Sequence, residues 1–313
     1  MNINFVGMRP SFYVASFIMV AACISLLVVK GLNLGIEFRS GSILRMSFNE
    51  EVSSEDVRNI LSLEKFKAHF KRFQVQQIDP DDLVEGTGRE FFITSDFIAG
   101  DSSTEGVDKT ILVEFQKSFP TAKVHEFINI GPSIGDDLKE AAIYSIFFSI
   151  LVIIIYITVR FELRYGVVAI IALVHDVSIV LGIFALTQTS FSSSTIAAIL
   201  TIIGYSLNDT IVILDRIREN SRLMRKEAFD TIVNSSLNQS LKRTIYTSIT
   251  TLCPILILFL YGGMGVYSFS FALLIGVVVG TYSSACLAAP LLVTWNKMKP
   301  QEEAVPVPAR SAV

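Results

Sequence analysis

Apolar residues fall into six long runs, approximately 12–29, 141–159, 166–186, 193–214, 244–261 and 266–290, with polar segments between them. Each run is roughly 18–25 residues, the length that a helix rising 1.5 Å per residue needs to cross about 30 Å of hydrocarbon. The pattern predicts six membrane-crossing helices. From Thr244 to Asn296 there is no Asp, Glu, Lys, Arg or His in 53 residues, and Gly262, Gly263 and Gly265 divide that stretch into two crossings. The first run has 18 uncharged residues, Phe12 to Val29, shortly after Arg9. A cleavable signal has a core of only about 7–15 apolar residues, so this run is expected to remain as an anchor. Val20-Ala21-Ala22-Cys23 resembles a lipoprotein cleavage box, but apolar residues continue past that cysteine to Val29.

Between the first two runs the pattern changes. Ile43 to Phe48 alternates in the manner of a half-buried strand. A helix is expected from Ser54 through Leu63, with Ser53 or Ser54 as its N-cap. Phe73 to Ile78 and Phe91 to Thr94 read as strands, with turns at Asp79-Pro80-Asp81 and Gly86-Thr87-Gly88 between them. Val107, Ile111, Leu112 and Phe115 keep a helical period that stops before Pro120, and Val124 to Ile130 closes the set as a strand. The order βαββαβ is that of the ferredoxin-like split motif. The expected layout is a short N-terminus (1–11), a first crossing (12–29), an α+β domain (30–137), a bundle (138–296) with a polar loop at 215–243, and a disordered tail (297–313).

Composition narrows the class. Of 313 residues, 51% are hydrophobic and 18% charged, against about a quarter charged in a soluble domain, which excludes a simple globular enzyme. The net charge of −3 argues against a broad basic surface for nucleic acid. Cys23, Cys253 and Cys286 all lie in apolar runs, so neither a disulfide framework nor a thiolate metal site is expected. Lys and Arg set the orientation. The segment 215–243 carries Arg216, Arg218, Arg222, Arg225, Lys226, Lys242 and Arg243, whereas the turns near Gln188 and Gly263 carry no base. Both termini are therefore expected in the cytoplasm. Residues 30–137, with 19 acids against 12 bases, are expected outside.

A charge inside the bilayer costs about 2.5–3.5 kcal/mol on the insertion scale, so the few ionisable residues in the crossings are the candidate chemistry. Asp209 lies near the end of the fourth run, roughly 8–9 Å from the cytoplasmic boundary at 1.5 Å per residue. Tyr205 and Ser206 are one turn earlier, and Thr201, Gly204 and Asn208 keep that side small and polar. It reads either as an interfacial acid or as a proton-binding carboxyl facing the bundle. Desolvation favours the neutral form of such a group and a nearby cation its charged form, so alternation between the two surroundings would move a proton. Arg243 opens the fifth run, followed by Thr244, Thr247, Ser248, Thr250 and Thr251. A helix start near Asn238 would put it at about the depth of Asp209, as an anchor or as half of a switchable ion pair. His175 and Asp176 lie mid-way along the third run, as a proton relay or a structural hydrogen-bonding pair. Two adjacent residues point about 100° apart on a helix and no second membrane His exists, so a metal site is not expected. Gly276, Gly280, Ser284 and Ala288 form a small-residue ridge suited to close helix contact, and Gly204 is a further expected helix-packing position. No Gly-x-Ser-x-Gly, phosphate loop or Cys-x-x-Cys is found, and no enzyme activity is expected. An intramembrane protease using Asp176 and Asp209 as a dyad stays open, without a proteolytic motif around either acid.

Several segments together resemble the SecF family of protein-export membrane subunits, which work with SecD within the RND superfamily. Gly31-Leu-Asn-Leu-Gly35-Ile-Glu37-Phe38-Arg-Ser-Gly41 is similar to the family's Gly-x-Asp-Phe-x-Gly-Gly segment after the first crossing, with Glu37 in place of Asp and Ser40 in place of a Gly. Ala172-Leu-Val-His-Asp-Val177 is similar to a family membrane signature. So are Gly204-Tyr-Ser-Leu-Asn-Asp-Thr210 with Asp215-Arg-Ile-Arg-Glu-Asn220, and Ser240-Leu-Lys-Arg-Thr-Ile-Tyr-Thr-Ser-Ile-Thr-Thr251. Gly280-Thr-Tyr-Ser-Ser284 and Pro290 extend the likeness, which covers about residues 10–296. The resemblance implies an α-helical membrane protein: a six-helix RND-type half-bundle with a ferredoxin-like extracytoplasmic α+β domain between its first two crossings, in the bacterial inner membrane. It implies that Asp209 and Arg243 belong to a proton path, with sodium left open as coupling ion and no cofactor. The implied partners are a SecD-like subunit, the Sec translocation channel, an unfolded preprotein and membrane lipid, and the implied function is assistance to export driven by the proton-motive force. The rival classes are half of an RND-type exporter of lipid or small molecules and a passive assembly scaffold.

Overall fold

In the computed structural model of the chain, residues 3–63, 66, 73–78, 89–95, 107–160 and 162–298 are described. The two turns expected at 79–81 and 86–88, and the tail beyond Met298, lie outside them. The described chain falls into two compact units, the helical crossings and a smaller unit built from Asn33–Phe147 with Ser190–Ile196.

The smaller unit begins with a short helix α2 (Ile36–Arg39), which follows the first crossing α1 (Arg9–Lys30). Then come β1 (Gly41–Phe48), α3 (Ser54–Leu61), β2 (Phe73–Ile78), β3 (Arg89–Ser95), α4 (Val107–Ser118) and β4 (Lys123–Ile130). The strands form one antiparallel sheet in the order β2-β3-β1-β4, the arrangement in which a βαββαβ chain places its first and third strands at the centre. Register follows the period of two: Leu44 is opposite Ile93 and Met46 opposite Phe91, all on the buried face. Phe48 continues that face and packs against Phe91, Phe115 and Phe119 at ring separations of 5.6–5.7 Å. Val57 and Leu61 of α3 and Ile111 and Phe115 of α4 close the core from the helical side. A bulge between Arg45 and Met46 interrupts the pairing with β4.

The crossings are α1, α5 (Pro132–Arg160), α6 (Leu163–Thr187), α7 (Ser193–Leu223), α8 (Phe229–Tyr261) and α9 (Gly263–Ser283). The last runs through a π turn (Ser284–Ala288) into α10 (Ala289–Met298). Pro290, which lacks an N–H, follows directly on the π turn. All six are long and apolar enough to span a bilayer. In their most apolar windows 56% of α6, of α7 and of the last crossing is buried, against 11% of α1, 6% of α5 and 17% of α8. The first three are therefore the inner helices of the bundle.

The helices outrun their apolar stretches. α7 continues to Leu223 and α8 begins at Phe229, so most of the segment expected as a 215–243 loop is helical. An apolar run reports the thickness of hydrocarbon, whereas the hydrogen-bonded ladder continues into polar surroundings. The chain reverses after α8 at Gly262 and Gly263, the latter at φ +68°, where a side chain would be strained.

Candidate functional site

The inner helices come together through small residues. Gly276 of α9 lies against Ile202 of α7, and Gly280 lies against Ser206, with an added Cβ at Gly280 reaching 3.0 Å from the Ser206 Cβ. This is the ridge that the spacing of Gly276 and Gly280 predicts. Ser284 is fully buried, and its hydroxyl donates to Thr281 O at 3.1 Å on its own helix.

That approach brings three helices onto one carboxylate. Asp176 of α6 is completely buried. Its Oδ2 accepts from Ser206 Oγ of α7 at 2.5 Å and from Ser283 Oγ of α9 at 2.8 Å. Its Oδ1 is 3.0 Å from His175 Nδ1. The His175 ring lies 6.1 Å from that of Tyr282, its buried Nε2 has no hydrogen-bond partner among the described residues, and the Tyr282 hydroxyl is 3.1 Å from Ser16 Oγ of α1. Ser206 and Ser283 were not singled out from sequence as partners of this acid. The available signal was their spacing, Ser206 three residues before Asp209 and Ser283 three after Gly280.

Asp209 lies three residues beyond Ser206 on α7 and is 3% exposed. Among the described residues its Oδ2 has no hydrogen-bond partner. Arg243 of α8 is exposed, lies about four turns into a helix that starts at Phe229 rather than near Asn238, and forms no ion pair with Asp209 within 4.0 Å among the described residues. The Tyr205 hydroxyl and Thr244 Oγ1 are buried without a hydrogen-bond partner among the described residues. Thr247 turns its hydroxyl back to its own helix, onto the carbonyls of Arg243 (3.1 Å) and Thr244 (2.9 Å). Asp176 and Asp209 do not bond to each other; the oxygens of Asp176 are taken by the two serines and His175. Among the described residues no cluster of three His, Cys, Asp or Glu side chains forms.

One face of α7 is open. Ala197, Thr201, Gly204 and Asn208 are exposed at helical spacing; contrary to the expected packing role of Gly204, a Cβ there would meet nothing within 4 Å among the described residues. The stripe is small and polar, unlike the large apolar side chains that α5 exposes, such as Ile143, Phe147, Val152 and Val159.

Known proteins share this architecture. A family model described as "Protein export membrane protein SecD/SecF, C-terminal" matches residues 110–298, and one described as "SecD/SecF GG Motif" matches residues 25–52. The protein translocase subunit SecF of Desulfurispirillum indicum is 37% identical over 306 residues, 94% of this chain and 92% of that one. The crystal structure of SecDF, a translocon-associated membrane protein from Thermus thermophilus, matches with a TM-score of 0.81 at 33% identity. It covers 95% of this chain, which spans only 39% of that longer one. SecDF in its super-membrane-facing form matches with a TM-score of 0.69 at 34% identity. With its six crossings, its four-stranded antiparallel domain and identity sustained along nearly the whole chain, this is a multi-pass membrane protein of the SecD/SecF family with an RND-type half-bundle.

Proposed function

We propose that this chain is a SecF-type subunit that uses the proton-motive force to assist translocation or release of preproteins through the Sec channel. The observation that carries the reading is Asp209: a carboxyl buried in a membrane-crossing helix, whose Oδ2 has no hydrogen-bond partner among the described residues. A carboxyl so placed is poised between two states. Neutral, it suits the water-poor bundle. Charged, it needs Arg243. Each proton falling through the potential supplies about 2.3 kcal/mol per 100 mV, so a few protons can bias a domain equilibrium of several kcal/mol.

The open stripe on α7 and the exposed Arg243 suit a second half-bundle, and a SecD-type subunit is the proposed partner. Support comes from the SecDF chain, of which this one matches 39%. In this reading both termini are cytoplasmic, the α+β domain lies outside the bacterial inner membrane, and that domain shifts as protons pass.

The test is proton flux and preprotein export in vesicles carrying Asp209→Asn. Loss of both is expected. Unchanged values for both would remove Asp209 from the mechanism, and indifference of export to collapse of the membrane potential would leave a passive scaffold.

A further inference from the structure

We propose that Asp176 is a positioning residue for Asp209: by holding Ser206 it fixes the rotation of α7 about its own axis, and with it the surroundings that the Asp209 carboxyl meets. The proposal rests on the reading of Asp209 as a proton-binding group.

The distinguishing observation is what Ser206 does with its hydroxyl. Serine and threonine in an apolar helix ordinarily donate back to the carbonyl four residues earlier. Thr201, on the same helix, does so to Ala197 O at 2.8 Å, and Ser178, Ser248 and Ser270 do so on theirs. Ser206 donates instead across to Asp176 on α6. Ser283 divides its hydroxyl between Asp176 and Gly280 O at 3.2 Å. The closeness of Gly280 to Ser206 leaves α9 no slack at this level. Asp176 is thus the common acceptor for hydroxyls from both other inner helices, in a setting where an unpaired carboxylate is costly.

Position along α7 makes that knot matter to Asp209. Ser206 and Asp209 are three residues apart and share a side of the helix. Asn208 is exposed and Asp209 buried, although adjacent residues differ by only about 100° around the axis. A rotation smaller than that would carry the carboxyl out of its buried setting toward the open stripe. The bond from Ser206 to Asp176 opposes it. The ionisable groups around this knot are His175, which bonds to Asp176 and lies against Tyr282 of α9, and Tyr205, one turn before Asp209 on α7, whose hydroxyl is buried; Arg243 on α8 is the cation that the proposed function pairs with Asp209.

The test titrates Asp209 directly, in the full chain reconstituted with its SecD-type partner in liposomes. The infrared carboxyl band that disappears in Asp209→Asn belongs to that residue, and its midpoint is followed with pH. Ser206→Ala and Asp176→Asn are expected to move the midpoint by about one pH unit or more, because the carboxyl exchanges one degree of burial for another. Ser178→Ala, at a serine whose hydroxyl donates back to Val174 O on its own helix, is expected to leave it alone. If Asp176→Asn does not assemble, Ser206→Ala decides, since it removes a single hydroxyl. An Asp209 midpoint that stays put in Ser206→Ala overturns the positioning role even if the variant melts earlier. A wild-type band that does not titrate at all would instead remove proton binding at Asp209, and both proposals with it.

Discussion

Gly280 and Ser206 touch so closely that the smallest possible side chain at the glycine would reach 3.0 Å from the serine Cβ. Such a contact is tighter than ordinary packing tolerates, and neither backbone has room to retreat while Ser206 and Ser283 share Asp176. Gly280→Ala is therefore expected to destabilise the bundle by about 1–3 kcal/mol, the usual cost of overpacking. Gly204→Ala, whose Cβ would enter open space, is the matched control and is expected to leave the chain's own stability unchanged. Thermal unfolding of the purified chain in detergent measures both. Equal melting of the two variants would mean that the α7–α9 contact is looser than its geometry.

Arg243 forms no ion pair with Asp209 within 4.0 Å among the described residues, so in the proposed function the two close on each other only when the carboxyl is charged, and that contact is where a guanidinium differs from an ammonium. Arg presents a planar, permanently charged fork, whereas Lys offers a compact and strongly hydrated point charge that shifts its protonation readily when buried. If the proposed function holds, Arg243→Lys is expected to lower export severalfold, and Arg243→Gln to remove its dependence on the proton-motive force, while the assembled complex persists. Export assays in inverted vesicles, with subunit levels checked by immunoblot, read this out. Wild-type export from the Lys variant would reduce Arg243 to an orientation signal of the kind that any base near a helix end provides.

The strands were legible because their signal is local. Leu44, Met46 and Phe48 alternate with Arg45 and Ser47, and a period of two can only be satisfied one way when a single face is buried. The sheet order follows once the βαββαβ sequence is read. The crossings were legible for a related reason, since the bilayer imposes a length. Helix ends were not: residues 229–243 are polar and helical, and nothing in a hydropathy pattern separates a polar helix from a polar loop. This is why Arg243 came out deeper in its helix than the sequence suggested. The partners of Asp176 were hidden for a third reason. Finding Ser206 and Ser283 on one carboxylate needs the rotations of three helices, which depend on where Gly276 and Gly280 let the backbones meet, a relation between segments some 70 residues apart. Asp209 itself stood out, because an acid in an apolar run is rare enough to be read alone.

The start of α3 carries a pH dependence of its own. Ser53 Oγ accepts from Asp56 N at 3.1 Å, and Asp56 Oδ2 accepts from Ser53 N at 3.0 Å and from Ser53 Oγ at 2.6 Å, a reciprocal capping box. These donors hold the Asp56 carboxyl below its ordinary value of 3.8. A depressed carboxylate contributes stability that is fully present above the unfolded value and is lost as pH falls through the folded one. Hydrogen-exchange protection of the Ser54–Leu61 helix, measured in the full chain and corrected for intrinsic rates, is expected to hold from neutral pH down to the ordinary carboxylate range and to fall below it. Asp56→Asn should flatten that acid-side change, and Ser53→Ala should weaken protection already at neutral pH. An acid profile identical in Asp56→Asn would assign the change to other carboxylates.

The segment before α1 is tied down by side-chain amides of α8, and the tie can be cut without disturbing a crossing. Asn238 Oδ1 accepts from Ile3 N at 2.8 Å and its Nδ2 donates to Ile3 O at 2.9 Å, the pairing that a neighbouring strand would otherwise supply. Asn234 Oδ1 takes Val6 N at 3.4 Å, and Phe5 and Val6 are buried beneath the strap. At its far end Asp230 is shared by Arg9 at 3.5 Å and Lys297 at 2.6 Å. The ion pairs are partly exposed and contribute little, so the amide pairing is the stronger constraint. Asn238→Leu keeps the volume and removes both bonds, each worth about 0.5–1.5 kcal/mol net. Hydrogen exchange over residues 3–8 should rise roughly 5- to 100-fold, since each 1.4 kcal/mol is a factor of ten. Exchange within α6, α7 and α9 should not change, because among the described residues the hydrogen bonds of Asn238 go to Ile3 and to Asn234 on its own helix. Unaltered exchange over residues 3–8 would show that Phe5 and Val6 hold the strap by burial alone.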